Sequence, residues 1–180
     1  MTSASPPFTV NQALEHLRVW EHAARTQATR VLSSEDVLGV VTTGDIFLFV
    51  IALRNVRRAA HLVRVVAAKS SASAIDTATN AFDLAVPASM VARDVIEHFD
   101  EYTRGKGDMQ KADLKTHRSA PLHVQWVENT GEDVRFSIGI SQRTLLSLSV
   151  ADATAAAFNL RSAIGSAVFE TLAVRRDASD

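Results

Sequence analysis

Hydrophobic and polar positions alternate at helical spacing through the first third of the chain. Thr9, with Gln12 three positions later, has the pattern of a capping box at a helix start. Apolar side chains then recur every three or four positions, which predicts an amphipathic helix up to about Leu32. A second helix-entry pattern at 33–36 predicts a short helix that ends near 42–44.

A long helix is predicted next, over about 45–69, followed by a third helical region over about 74–103. The long helix starts with the apolar run 46–53 and becomes amphipathic after Arg54. Pro87 removes an amide donor from the third region, so a kink or restart is expected there. Gly105 and Gly107 favour its end.

Beyond residue 120, the spacing of apolar residues changes from the helical repeat to an alternation of period two. Alternating residues at 122–127 and 134–140, with turn residues at 129–132 between them, predict a hairpin. The segment 145–150 is either a third short strand or leads directly into the last helix. Ser149 is placed to cap a last helix that reaches about Val174. The fold class is therefore mainly α (α+β), a helical bundle with a small antiparallel sheet inserted before the last helix. One domain over 9–176 is expected, with the β insertion at about 121–149 and a disordered lead at 1–8.

Composition narrows the function classes. The 180 residues include no cysteine, which excludes disulfides, thiolate catalysis and cysteine-ligated metal sites. Lys plus Arg number 19 against 20 for Asp plus Glu, so any affinity for a polyanion must come from a local basic face. The apolar run 46–53 is far shorter than the roughly 20 residues of a membrane span, and 1–8 lacks a secretory pattern. A cytoplasmic protein without membrane contact is expected.

Titratable side chains are concentrated in the segment 93–102. At helical spacing of four, Arg93 meets Glu97, Asp94 meets His98, and His98 meets Tyr102. In a functional interpretation Asp94 orients the imidazole and Glu97 holds the guanidinium. In the alternative interpretation these are ordinary ion pairs on a helix surface. Arg93 and His98 themselves lie five positions apart, about 140° around a helix, so they make a poor direct pair.

The residues Arg93-Asp94, followed by His98 after three further positions, resemble the signature of the HEPN superfamily of helical bundles. The resemblance implies a metal-independent endoribonuclease without a cofactor, of the kind found in toxin–antitoxin and other defence systems, where a protein antitoxin is a partner. It implies a homodimer in which both copies of the motif line one cleft. His98 would assist proton transfer at the ribose 2′-hydroxyl or the leaving oxygen, and Arg93 would stabilise the charge of the phosphorane. Many members of the superfamily are non-catalytic.

A second Arg–polar–His pattern begins at Arg54-Asn55 and ends at His61, seven positions after the arginine and therefore on the same helix face. It belongs to a basic stripe formed by Arg54, Arg57, Arg58, His61 and Arg64. The stripe is either an RNA-binding surface or the solvated face of an amphipathic helix. We favour Arg93 and His98 as the reacting pair, because acidic groups lie four positions away, and the stripe as an accessory RNA-binding face.

No metal site is predicted, because His16 and His22 lie six positions apart rather than three or four, and His117 and His123 flank a loop. Trp20 and Trp126 are expected in the core. The leading hypothesis is a HEPN-like RNase. The alternatives are a non-catalytic helical dimer that serves as an interaction module, and a small-molecule binding protein.

Overall fold

The computed structural model describes residues 8–34, 40–117, 124–129, 133–139 and 145–177. These residues form seven α-helices, a short 3-10 helix and one sheet of three antiparallel strands that precedes the last helix. This confirms the predicted fold class. The predicted disordered lead falls almost entirely outside the described residues, as do 35–39 and the hairpin turn at 130–132.

Helix α1 spans Val10–Leu32 and begins at the predicted capping box. The Gln12 amide donates to Thr9 Oγ1 over 3.3 Å, and the Thr9 amide donates to Gln12 Oε1 over 2.8 Å. Two backbone donors that the helix leaves unpaired are thereby satisfied. The apolar side of α1 then packs along α2 and α7.

Helix α2 spans Val40–Val66, so it begins earlier than predicted. The short helix ending near 42–44 is wrong, because the chain continues as helix through Gly44 and into the apolar run. Asp45 is buried there and forms an ion pair of 3.3 Å with Arg30 of α1. The tertiary partner, which the sequence pattern does not reveal, makes a buried carboxylate tolerable in this helix.

The third helical region is divided more often than predicted. After the 3-10 helix Lys69–Ser71 come α3 (Ala72–Ala85), α4 (Ala88–Glu97), α5 (Phe99–Thr103) and α6 (Asp108–His117). The predicted break at Pro87 is confirmed. A second break lies at His98, where φ is −116° and ψ is 33°, and Gly105 has a φ of 70°. Helix α6 was not predicted, since the sequence pattern ended the helical region at the two glycines.

The sheet consists of β1 (Val124–Asn129), β2 (Val134–Gly139) and β3 (Leu145–Ser149) in that order. Phe136, in the central strand, pairs with Val127 on one side and Leu148 on the other. Its ring packs edge-on against Phe47 of α2 with 6.0 Å between centroids, which joins the sheet to the helical core.

The last helix, α7, spans Val150–Asp177 and begins directly after β3. The Asp152 amide donates to Ser149 Oγ over 3.0 Å, which confirms the predicted cap. Among the helices of the described part of the chain, none combines the length and the apolar character that crossing a membrane requires.

Candidate functional site

His98 lies at the junction between α4 and α5, and its side chain is exposed. Its amide still donates to the Asp94 carbonyl over 3.0 Å, whereas its own carbonyl accepts from the amides of Glu101 and Tyr102. The chain therefore turns at His98. Because the bond from the His98 amide to the Asp94 carbonyl is intact, the separation of about 140° expected between Arg93 and His98 still holds, and the break redirects only the chain that follows.

Asp94 and Tyr102 are joined to each other rather than to His98. The Tyr102 hydroxyl donates to Asp94 Oδ2 over 2.9 Å. Among the described residues, no hydrogen bond or ion pair joins the His98 imidazole to either side chain. Asp94 and Tyr102 bond to each other, so the predicted contacts of His98 with these two side chains are not formed among the described residues, although the backbone turns 94–98 and 98–102 both keep their helical hydrogen bonds.

Tyr102 is buried with 1% of its surface exposed. Burial, and then the hydrogen bond to the Asp94 carboxylate, raise the pKa of Tyr102 to about 12. The phenol is thus kept protonated as the donor of this bond. Its role here is to fix the geometry of the α4–α5 junction.

Glu97, the residue before His98, is shared by two arginines. Arg93 forms the predicted ion pair with Glu97 one turn away on α4. Arg54 of α2 donates from Nη1 to Glu97 Oε1 over 3.2 Å. The hydrogen bond from Arg93, with the charges of Arg93, Arg54 and His98, holds the pKa of the Glu97 carboxyl below its usual value. The sequence predicted the first contact but not the second, which joins positions 43 residues apart.

The single carboxylate of Glu97 does not neutralise both arginines of the cluster formed by Arg54, Arg93 and Glu97. Two guanidinium groups share one carboxylate, so the group of three carries a net positive charge. The side chains of Arg54 and Arg93 are 24% and 22% exposed, and Arg93 Nε is buried without a hydrogen-bond partner among the described residues. A buried donor without a partner is unfavourable unless an acceptor is supplied. The partly exposed guanidinium groups of Arg54 and Arg93 can therefore contact an oxyanion, whereas the buried Arg93 Nε cannot be reached from solvent.

The members of the basic stripe of α2 differ in their partners, although all five lie within about 120° of one helix face. Arg57 donates to both oxygens of Asp83 over 2.7 and 2.8 Å, and Arg64 donates to Asp76 over 2.8 Å. With Arg54 bound to Glu97, three of the stripe's cations have carboxylate partners on α3 and α4. RNA binding by the stripe stays a prediction, but these three are neutralised in part by the fold itself.

Arg58 and His61, the other two members of the stripe, line a cleft between α2 and α1. His16 and Trp20 of α1 form part of the opposite wall. The structure therefore does not bring His61 to the carboxylate that holds Arg54. Trp20 is partly buried and packs against the core, as predicted, and it also lines the cleft, whereas the sequence pattern gave His16 no role. The helical spacing of four between them was the signal for a common surface.

The described residues form no cluster of potential metal ligands. No group of three or more His, Asp or Glu side chains in the described ranges is arranged to hold an ion. His22 contacts Arg25 at 3.1 Å, and His16 packs beside Phe8 with 5.8 Å between ring centroids. His123 and the side chains of His117 and Trp126 lie outside the described part of the structure.

No family model, curated protein or solved structure gives a significant match to this chain. Function must therefore be argued from its own residues.

Proposed function

We propose that this chain is a HEPN-like endoribonuclease that works as a homodimer and needs no metal. The observation that supports the proposal best is the position of His98, exposed at a helix break next to the carboxylate that gathers Arg93 and Arg54. This arrangement places a proton carrier beside excess positive charge. Cleavage of a phosphodiester requires both a group that moves protons and positive charge that stabilises the phosphorane.

The reaction proposed is cleavage by the RNA's own 2′-hydroxyl. The 2′-oxygen attacks phosphorus and loses its proton to a base, while the bond to the 5′-oxygen breaks and that oxygen receives a proton. The products are a 2′,3′-cyclic phosphate and a free 5′-hydroxyl. Arg93, assisted by Arg54, stabilises the non-bridging oxygens as negative charge accumulates on them.

Two proton transfers on opposite sides of phosphorus are best served by two imidazoles. The cluster of Arg54, Arg93 and Glu97 has one adjoining histidine, His98, among the described residues of one chain. A second chain related by a twofold axis brings a second His98 to a shared cleft. The homodimer is therefore part of the mechanism proposed.

The experiment is incubation of the protein with single-stranded RNA in excess EDTA. We expect cleavage with 2′,3′-cyclic phosphate ends and a loss of at least about 100-fold in His98→Ala, the scale of lost acid–base catalysis. Arg93→Gln should lose a similar factor. The matched control is His22→Ala, which removes an exposed histidine of α1 that lies outside the cluster. A wild-type protein that cleaves no RNA, or His98→Ala with wild-type activity, contradicts the proposal.

Mixing two inactive variants tests the shared cleft. If one cleft draws residues from both chains, heterodimers of His98→Ala and Arg93→Gln keep one His98 and one Arg93 in that cleft. They should recover part of the activity that neither variant shows alone, below the level of the wild type with its two imidazoles. Recovery requires subunit exchange, which labelled wild-type chains can monitor. Cleavage by a strictly monomeric wild type would overturn the dimeric mechanism.

A second candidate is the non-catalytic interaction module, and the surface of α7 favours it. Four large apolar side chains of this helix are exposed, namely Phe158 at 48%, Phe169 at 65%, Leu172 at 45% and Val174 at 69%. Exposed apolar groups on one helix are typical of association surfaces. Under this candidate Phe169→Glu abolishes self-association, and His98→Ala leaves every property of the protein unchanged.

A further inference from the structure

We propose that the cleft between α1 and α2 binds a nucleotide, an anion attached to a planar ring. The cleft has a volume of about 390 Å³. That lies at the lower end of the range of roughly 300–1,000 Å³ found for small-molecule sites. The proposal does not depend on the RNase proposal, because Arg93, Glu97 and His98 do not line this cleft.

The charge of the lining points to an anion. Arg58, His61 and His16 contribute to the walls, and none of the described lining residues is a carboxylate. Arg57, also on the wall, is already held by Asp83, whereas Arg58 has no ion pair or hydrogen bond from its side chain within the described ranges. An exposed guanidinium without a carboxylate, beside two imidazoles, is suited to bind phosphate oxygens.

The remaining lining residues point to a planar ring. Trp20 is half-buried and Leu62 lies on the opposite helix, so the cleft has an aromatic surface and an aliphatic surface. Indole faces bind nucleobases by stacking. On α1, His16 lies one turn before Trp20, and on α2, Arg58 lies one turn before His61. Each wall therefore extends along its helix for at least a turn.

The Asn55 side chain can recognise the edge of the ring by hydrogen bonding. Its side chain lines the same cleft and has no hydrogen bond among the described residues. An amide both donates and accepts, which matches the edge of a nucleobase. Ring stacking, phosphate contact and an amide together define a nucleoside monophosphate better than a simple anion or an apolar molecule.

Titration calorimetry with the full chain tests the proposal. We expect AMP to bind, with adenosine and ribose 5-phosphate each at least about tenfold weaker, because each lacks one of the two recognised parts. Arg58→Gln should weaken AMP at least about tenfold and leave adenosine unchanged. Trp20→Phe keeps a ring in the wall and should weaken AMP less than Trp20→Leu. Arg25→Gln, an arginine of α1 that does not line the cleft, is the matched control.

Several results would overturn the assignment. One is AMP and ribose 5-phosphate binding equally, which would indicate a plain anion site. Another is binding of oligoadenylate but not of AMP, which would indicate an RNA-tracking surface. A third is wild-type affinity for AMP in Arg58→Gln. The same titration on His98→Ala separates the two proposals, because the nucleotide should still bind when RNA cleavage is lost.

Discussion

The Tyr102 hydroxyl donates a 2.9 Å hydrogen bond to Asp94, eight residues earlier and on the far side of the break at His98. This bond folds α5 back against α4. The Tyr102 ring is also packed against Gly107, so the two short helices and the turn that follows them share one buried side chain. The orientation of His98 therefore depends on a residue that takes no part in the proposed chemistry.

Tyr102→Phe should weaken the α4–α5 junction without leaving a cavity in it. The ring remains in place, and the partly buried Asp94 carboxylate loses its donor, which costs about 1–2 kcal/mol of unfolding free energy. Urea denaturation of both proteins measures the loss. Equal stability of the two proteins would show that the hydrogen bond contributes nothing, and Tyr102→Leu, which leaves a cavity, should be clearly worse.

The alkaline titration of Tyr102 can be read directly, because it is the chain's single tyrosine. Its pKa is raised from 10.0 to about 12 in the folded protein. A raised pKa means that its stabilising contribution is complete below pH 10 and is lost as the pH rises towards 12. Absorbance of the phenolate should appear at about pH 10 in urea and only near pH 12 without it. A midpoint near 10 in the folded protein would contradict the buried hydrogen bond.

Two glycines should respond oppositely to alanine. A Cβ at Gly107 would overlap the Tyr102 ring, whereas a Cβ at Gly44, inside α2, meets nothing within 4 Å. Gly107→Ala should therefore lower the unfolding free energy by about 1–3 kcal/mol. Gly44→Ala should raise it by about 0.5–1 kcal/mol, through better helix propensity. Thermal unfolding of the two variants measures both changes in unfolding free energy. A Gly107→Ala protein as stable as the wild type would mean that the junction is loosely packed.

Glu97→Gln tests the carboxylate that gathers Arg93 and Arg54. The pKa of Glu97 is lowered, so its contribution to stability is present above the ordinary value of 4.5 and lost as the pH falls below it. Because the groups are partly exposed, the difference from wild type at pH 7 should be less than about 1 kcal/mol. Stability curves for both proteins should converge as the pH falls from 5 to 3. Curves that stay parallel would exclude a charge effect.

Local signals explain what could be predicted from this sequence. Thr9 with Gln12, Ser149 with Asp152, and Pro87 act through a few neighbouring residues, and each was confirmed. The alternation of the strands was also sufficient, since one face of the sheet packs on the helices. These features need no knowledge of distant parts of the chain.

The candidate site could be predicted only in part, because it depends on contacts between helices. The Arg93–Glu97 pair follows from spacing within α4 and was confirmed. The break at His98 has no proline or glycine to mark it, so the hydrogen bond that crosses it from Tyr102 to Asp94 was not predicted. Arg54, 43 residues from Glu97, could be placed only once the packing of α2 against α4 was known.

The ion pairs of α2 with α3 have a consequence for how the bundle assembles. Arg57 binds Asp83 and Arg64 binds Asp76, so each helix contributes two charges seven positions apart, in opposite order. If α3 slid along α2 by one turn, both pairs would break together and leave four charges mismatched. At 25 °C such partly exposed pairs contribute little stability each. Their larger effect is on alignment: they favour one longitudinal register of α3 on α2, whereas the short connection between the two helices sets their antiparallel direction.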